Sequence, residues 1–121
     1  PSPGIEALFN AGRFEDSFKH LQKAAKSPKH AKAVGLMIGA CLVQMNKLDM
    51  AESQLTNVQK TLTPDDEVLQ RRLVYTFADL LERKGDAIGA LEKFQSLYLE
   101  DAEFMDVEKR IEEVKRKLGQ A

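Results

Sequence analysis

The stretch from Val34 to Thr61, VGLMIGACLVQMNKLDMAESQLTNVQKT, decides the fold of this chain. It contains two apolar runs at helical spacing, separated at Asn46-Lys47. Gly39 lies inside the first run, and Ala51 lies early in the second. Glycine costs about 1 kcal/mol relative to alanine in a helix interior, so we expect a packing reason for it. Small residues allow two helices to cross closely, and the stretch therefore predicts a helical hairpin.

The same spacing recurs on both sides of this hairpin and predicts one all-α domain over residues 1–121. Ser2-Pro3 is expected to start the first helix, and Ser27-Pro28 to end the second. Thr63 to Asp66 reads as a capping box, with Pro64 at the first position of the fifth helix. The predicted units are three hairpins at about 3–27, 30–62 and 64–100, and a last helix at about 102–118.

The three predicted hairpin turns share a pattern. They open on Gly12, Asn46 and Gly85, residue types that tolerate the left-handed conformation a tight turn requires. A small residue follows each opening by five positions, and a large apolar residue comes four positions later: Ser17, Ala51 and Ala90, then Leu21, Leu55 and Phe94. The first and second turns lie 34 positions apart, and the second and third lie 39 positions apart. The chain therefore repeats a helix-turn-helix unit.

With this period and these positions, the chain resembles the tetratricopeptide repeat family over nearly its whole length. The second and third hairpins carry the resemblance best, through Ile38-Gly39, Leu42, Ala51, Leu55 and Val58, and through Phe77-Ala78, Leu81, Gly85-Asp86, Ala90, Phe94 and Leu97. The tryptophan slot of the family is filled by Gly35 and Val74 instead. The resemblance implies a right-handed superhelical array of three antiparallel hairpins with a C-terminal capping helix. A helical bundle without repeats is the alternative fold.

The composition bounds the function classes. A hydrophobic content of 43% and a formal net charge of −1 are typical of a folded domain and give no overall reason to expect nucleic-acid binding. No apolar run approaches the roughly 20 residues of a membrane span. The chain begins at Pro1, so we expect a part of a longer protein, and the sequence leaves open a targeting or membrane segment upstream. The compartment is not readable, although a cytoplasmic one is favoured.

Residue patterns for catalysis, cofactors and metals are lacking in the sequence. There is no nucleophile elbow, metalloprotease motif or phosphate-binding glycine loop, so we expect a protein that is not an enzyme and needs no cofactor. His20 and His30 lack a third ligand nearby, and no metal site is predicted. The single cysteine, Cys41, lies in an apolar run and is expected to be buried.

The resemblance to the tetratricopeptide repeat family also implies a binding surface. In that family the first helix of each hairpin lines a concave groove that binds peptides or helices. In the register of the family, the second hairpin would contribute an apolar set and the third a polar set: Leu36, Met37, Ala40, Val43 and Gln44, and Arg72, Tyr75, Asp79 and Arg83. The alternative is that the apolar members are buried against the first hairpin or against upstream structure.

Two further surfaces give rival interpretations. No acidic residue lies between Asp16 and Asp49, so a lysine-rich stretch there could attract an acidic partner: Lys19, Lys23, Lys26 and Lys29. A short first helix could leave Ile5, Leu8 and Phe9 open for self-association. The sequence thus predicts a non-catalytic adaptor that binds another protein in its groove, with structural self-assembly as the alternative. A basic adaptor for nucleic acid or membrane is a third and weaker reading.

Overall fold

The computed structural model describes residues 4–25 and 30–120, which form helices and no strand. The helices are α1 (Ile5–Asn10), α2 (Phe14–Ala24), α3 (Ala31–Gln44), α4 (Leu48–Gln59), α5 (Glu67–Arg83), α6 (Ala87–Glu100) and α7 (Val107–Lys117). The all-α prediction is confirmed for this part of the chain. The predicted helix ends at Ser2-Pro3 and Ser27-Pro28 lie outside the described residues, and so do Lys26 and Lys29.

Three turns of three residues join α1 to α2, α3 to α4 and α5 to α6. Gly12, Asn46 and Gly85 have φ values of +80°, +60° and +92°, so the left-handed residue of each turn is where the sequence predicts it. In each turn the next residue donates its N–H to the carbonyl five positions back: Arg13 to Leu8, Lys47 to Leu42 and Asp86 to Leu81. This is the Schellman arrangement, which satisfies the last carbonyls of a helix and reverses the chain.

The small residues after the turns lie where helices meet. Ser17, Ala51 and Ala90 are fully buried. Gly39 of α3 faces α4, because a Cβ atom built on it would lie 2.9 Å from Cγ of the buried Leu55. The close approach inferred from Gly39 is therefore present, and its partner residue is Leu55.

The hydrophobic core is a chain of three clusters that follows the order of the helices. α3 contacts α2, α4 and α5, and α6 contacts α5 and α7. The clusters are Leu21, Val34, Met37 and Cys41; Leu36, Leu42, Val43, Ala51, Leu55, Val58, Leu73 and Leu80; and Ala78, Ala90, Leu91, Phe94, Leu97, Val107 and Val114. The third cluster holds α7 through its apolar stripe, while most of the opposite face of α7 is exposed and charged.

Two helices start later than predicted. α5 begins at Glu67, and residues 63–66 form a turn in which the Asp66 N–H donates to the Thr63 carbonyl at 2.9 Å. The Asp66 carboxylate accepts from the Thr63 backbone N–H, which is one of the two bonds of the predicted capping box, and also from the Thr63 hydroxyl. α7 begins at Val107 and not near residue 102, because Met105 has a left-handed φ of +47° that a helix cannot contain.

Candidate functional site

Most of the apolar half of the predicted groove is not open to a partner, and only Ala40 reaches a hollow at the surface. Leu36 and Val43 are 1% and 0% exposed, and Met37 and Ala40 are also buried. Leu36 and Val43 pack in the cluster that α3 shares with α4 and α5, whereas Met37 packs in the cluster with Leu21 of α2. The expectation that Leu36, Met37 and Val43 contact a partner is therefore corrected, because α3 has neighbours on three sides. Burial against the first hairpin, the alternative, holds for Met37, whereas Leu36 and Val43 are buried against α4 and α5.

Three of the four polar residues predicted on the third hairpin, together with Gln44, are gathered in one place, whereas Arg72 lies outside the cleft that they line. Gln44, Tyr75, Asp79 and Arg83 line an open cleft of about 530 Å³ beside α5. We call it the α5 cleft. Its full lining is Gln44, Tyr75, Asp79, Glu82, Arg83, Asp106, Lys109, Arg110, Glu113 and Lys117. Across this cleft, the guanidinium of Arg83 on α5 donates a hydrogen bond to Oε1 of Gln44 on α3 at 2.8 Å.

Half of the α5 cleft comes from α7 and the residue before it, which the sequence analysis did not include. The contributing residues are Asp106, Lys109, Arg110, Glu113 and Lys117. Asp106, Arg110, Glu113 and Lys117 follow one another at three or four positions, which places them on one side of α7, and Lys109 is next to Arg110. This polar stripe is visible in the sequence. From the sequence, the helix is assigned only the role of a capping helix, so the prediction does not include these side chains in the lining of the groove.

Arg110 is the centre of the charge arrangement in the cleft. Its guanidinium donates to the carboxylates of Asp79 and Glu82, and Lys117 donates to Glu82 from the other side. The Arg110 guanidinium also lies 4.9 Å from the centre of the Phe94 ring. Charges held in this way are oriented by one another, and the pairs link α7 to α5.

Burial and the neighbouring opposite charges shift the pKa values of Asp79 and Arg110 in opposite directions. Burial raises the pKa of the Asp79 carboxyl above its ordinary value, although Arg110 beside it pulls that pKa down. For Arg110, burial works against the charged form, but Asp79 and Glu82 outweigh it and the pKa is raised. The guanidinium therefore stays charged, and the Asp79 carboxyl takes up a proton more readily than an ordinary aspartate does as pH falls.

Tyr75 forms the wall between α5 and α7. Its hydroxyl donates to Asp106, and its ring meets the Phe94 ring edge-on with 5.4 Å between the ring centres. Burial and the hydrogen bond to Asp106 both raise the pKa of the Tyr75 phenol. Tyr75 is therefore a fixed, protonated side chain and not a mobile contact.

A smaller hollow of about 130 Å³ continues from the α5 cleft toward α1. We call it the Met105 hollow. It is lined by Phe9, Ala40, Gln44, Arg72, Tyr75, Thr76, Asp79 and Met105. Gln44, Tyr75 and Asp79 line both spaces, so the two form one surface across α3 and α5.

A second cleft, of about 650 Å³, lies between the start of α3, the end of α4 and the start of α5. Lys32 and Asp66 form an ion pair at its edge with 2.9 Å between Nζ and Oδ2, and the Gln54 amide donates to the Gly35 carbonyl at 3.0 Å. Lys32, Asp66 and the Gln54 amide, which lie at this second cleft, therefore have partners within the fold.

The predicted lysine patch is described only in part. Lys19 and Lys23 are exposed on α2. Lys32, from the same stretch of sequence, pairs with Asp66. The described part of the patch is therefore a solvated helix face.

The N-terminal hairpin has less open apolar surface than the self-association reading expects. Leu8 is buried, and Ile5 and Phe9 are half-buried against the cluster of Leu21 and Met37.

Cys41 is buried, as predicted, and its thiol donates to the Ser17 hydroxyl at 3.7 Å. Burial raises the pKa of this thiol.

Among the described residues there is no group of three metal-binding side chains, and none of the described helices is long and apolar enough to cross a membrane.

No protein-family model matches this chain, and neither a curated protein nor a solved structure matches it significantly.

Proposed function

We propose that this domain is a non-catalytic interaction module of the tetratricopeptide repeat type, which binds a segment of a partner protein along the α5 cleft and the Met105 hollow. The right-handed superhelical arrangement belongs to this proposal. It is supported by three turns with the same left-handed residue and the same hydrogen bond, each followed by a buried small residue.

One observation carries the proposal. The α5 cleft and the Met105 hollow join into a surface that brings together Arg72, Tyr75, Asp79 and Arg83, four residues at one- or two-turn spacing on a single face of α5. The other predicted polar residue, Gln44, lies opposite them on α3. A helix face flanked by two further helices is the kind of groove in which an extended peptide or an amphipathic helix binds.

The partner would be oriented by charge and not by a deep apolar anchor in α3. Asp79 and Glu82 are engaged by Arg110. Arg83 and Lys109 are exposed at the edge of the cleft, and Arg83 makes one exposed hydrogen bond, to Gln44. Charged groups at the rim of an interface affect the rate and direction of association more than the final affinity. We therefore expect Arg83 and Lys109 to select and orient the partner.

A displayed library of random dodecapeptides, selected against the immobilised domain, tests this proposal. The double variant Arg83→Glu/Lys109→Glu should associate with the enriched peptides about tenfold more slowly, because reversing charges at the rim of an interface acts mainly on the association rate. The control, Lys60→Glu, reverses an exposed charge next to α4, away from the cleft, and should leave the association rate unchanged.

Two results would contradict the proposal. One is a selection in which no peptide is enriched. The other is an equal association rate for the double variant and the control.

A further inference from the structure

The Met105 hollow is a candidate for a specificity pocket. We propose that it accepts one aliphatic side chain of the partner, of leucine size, and that an acidic residue next to it in the partner pairs with Arg72. This inference rests on the proposed function, because it names the partner chemistry at one end of the same groove.

The walls and the size of the hollow fit an aliphatic group. Phe9, Ala40 and Met105 are apolar, and Tyr75 has its hydroxyl engaged by Asp106. The hydroxyl of Thr76 is also engaged, because it donates to the Arg72 carbonyl at 2.8 Å. The volume of about 130 Å³ is close to the roughly 150 Å³ of an apolar cavity that holds benzene. A branched side chain of four carbon atoms therefore fills the hollow.

Met105 is placed at this hollow in an unfavourable backbone conformation. Its φ is +47°, and its side chain is 53% exposed. A residue with a Cβ atom is less stable than glycine in this region, so the fold keeps a large apolar side chain here at a cost in stability. An unbranched thioether adapts its shape to a bound group, which suits a lip that closes over a side chain.

The charge next to the hollow selects the second partner residue. Arg72 Nη1 lies 3.9 Å from Oε1 of Glu6, whose side chain is 76% exposed, so this contact is loose and solvated. Asp79, the acidic residue of the lining, is engaged by Arg110. The Arg72 guanidinium is therefore complementary to a carboxylate that a partner brings in beside its aliphatic residue.

The blocked tetrapeptide acetyl-Ala-Leu-Asp-Ala-amide is the probe for a direct test. Methionine methyl groups labelled with ¹³C report its binding, because Met105 lies in the hollow while Met50 is equally exposed on α4, at 57%. The Met105 methyl signal should shift with a dissociation constant in the millimolar range, and the Met50 signal should not. Replacing Leu by Gly in the probe should abolish the shift, and replacing Asp by Asn should weaken binding about threefold or more.

Three outcomes of this titration would overturn the inference. They are no shift of the Met105 signal at 10 mM probe (about ten times a millimolar constant), an equal shift with the glycine probe, and a shift of Met50 as large as that of Met105.

The variant Met105→Gly separates binding from folding. It should raise Tm by about 3 °C, since it relieves the left-handed residue, and weaken the tetrapeptide about tenfold. The control Met50→Ala should leave the affinity unchanged. A fall in Tm with unchanged affinity would show that Met105 is only structural. If dodecapeptides bind through Arg83 and Lys109 but are indifferent to Met105→Gly, this inference fails and the proposed function stands.

Discussion

At the scale of the residue, Gly39 is where side-chain size is most tightly limited. Alanine would stabilise a free helix by about 1 kcal/mol relative to glycine. Its Cβ atom would meet the side chain of Leu55, which is fully buried. Overpacking of a core costs about 1–3 kcal/mol, so we expect Gly39→Ala to destabilise the domain by about 1 kcal/mol net.

Urea unfolding of Gly39→Ala beside Gly35→Ala measures this effect. The added Cβ at Gly35 would lie 3.0 Å from Cγ2 of Val58, a milder conflict, so its loss of stability should be smaller. A more stable Gly39→Ala protein would mean that α3 and α4 are not closely packed at this point.

Tyr75 gives a prediction for alkaline pH. Because the folded protein raises the pKa of this phenol, the folded state holds the proton above the pH at which an unfolded tyrosine loses it, about 10. Stability should therefore be unaffected below that pH and should fall above it. In the variant Tyr98→Phe, which keeps Tyr75 as its single tyrosine, the ultraviolet phenolate band should be absent at pH 11 in the folded protein.

The matched measurement is the same protein in concentrated urea, where the band should appear near pH 10. A phenolate band at pH 10 in the folded protein would contradict the burial of Tyr75 and its hydrogen bond to Asp106.

Residue properties that depend on local pattern were predictable, whereas those that depend on the neighbours of a helix were not. The burial of Ala51 and Ala90 follows from the repeated spacing after each turn, and that of Cys41 follows from the apolar run around it. The burial of Leu36 and Val43 depends on α4 and α5 packing on α3 together, which one apolar stripe does not reveal.

At the scale of the element, the turn between α3 and α4 is the clearest case. Asn46 has a φ of +60°, where the matching turns have glycine. Asn46→Ala should destabilise the domain by about 1 kcal/mol, since alanine tolerates this conformation poorly. Asn46→Gly should be neutral or stabilising by about 0.5 kcal/mol.

Thermal unfolding of the two variants measures whether each loses or gains stability and which of them is the more stable. If Asn46→Ala were as stable as Asn46→Gly, this result would contradict the left-handed conformation of residue 46.

The starts of α5 and α7 show where sequence reasoning about elements fails. Thr63, Pro64 and Asp66 fit a capping box, but the Asp66 carboxylate is also held by Lys32, 34 positions away in the chain. This long-range contact, with the two bonds from Thr63, lowers the pKa of Asp66. A local motif could not foresee a competing partner on another helix.

At the scale of the whole molecule, Arg110 joins α7 to α5. Its side chain and that of Asp79 are each 16% exposed, and that of Glu82 is 9% exposed. Arg110→Gln leaves two buried carboxylates without their guanidinium, which should destabilise the domain by about 3 kcal/mol at pH 8. Lys117→Gln removes an exposed partner of Glu82 and should cost about 0.5 kcal/mol or less.

The loss in Arg110→Gln should depend on pH. Because burial raises the pKa of Asp79, the folded state binds a proton more readily than the unfolded state, and stability from this group falls as pH rises through that pKa. Arg110 lowers the pKa of Asp79, so removing Arg110 raises that pKa further, and protonation at lower pH removes the unpaired charge in the variant. Urea unfolding should therefore give a smaller loss at pH 5 than at pH 8. A loss that is equal at both, or as small as that of Lys117→Gln, would contradict the role of Arg110.

The central claim is that the surface along α5 binds another protein, and site-specific photo-crosslinking tests it most directly. A photoreactive phenylalanine analogue would replace Arg83 in the cleft or, as control, Ser53 on the exposed face of α4. Illumination in an extract of the source cells should give a discrete crosslinked partner from position 83 and none from position 53. The same product from both positions, or only a dimer of this chain, would contradict the account.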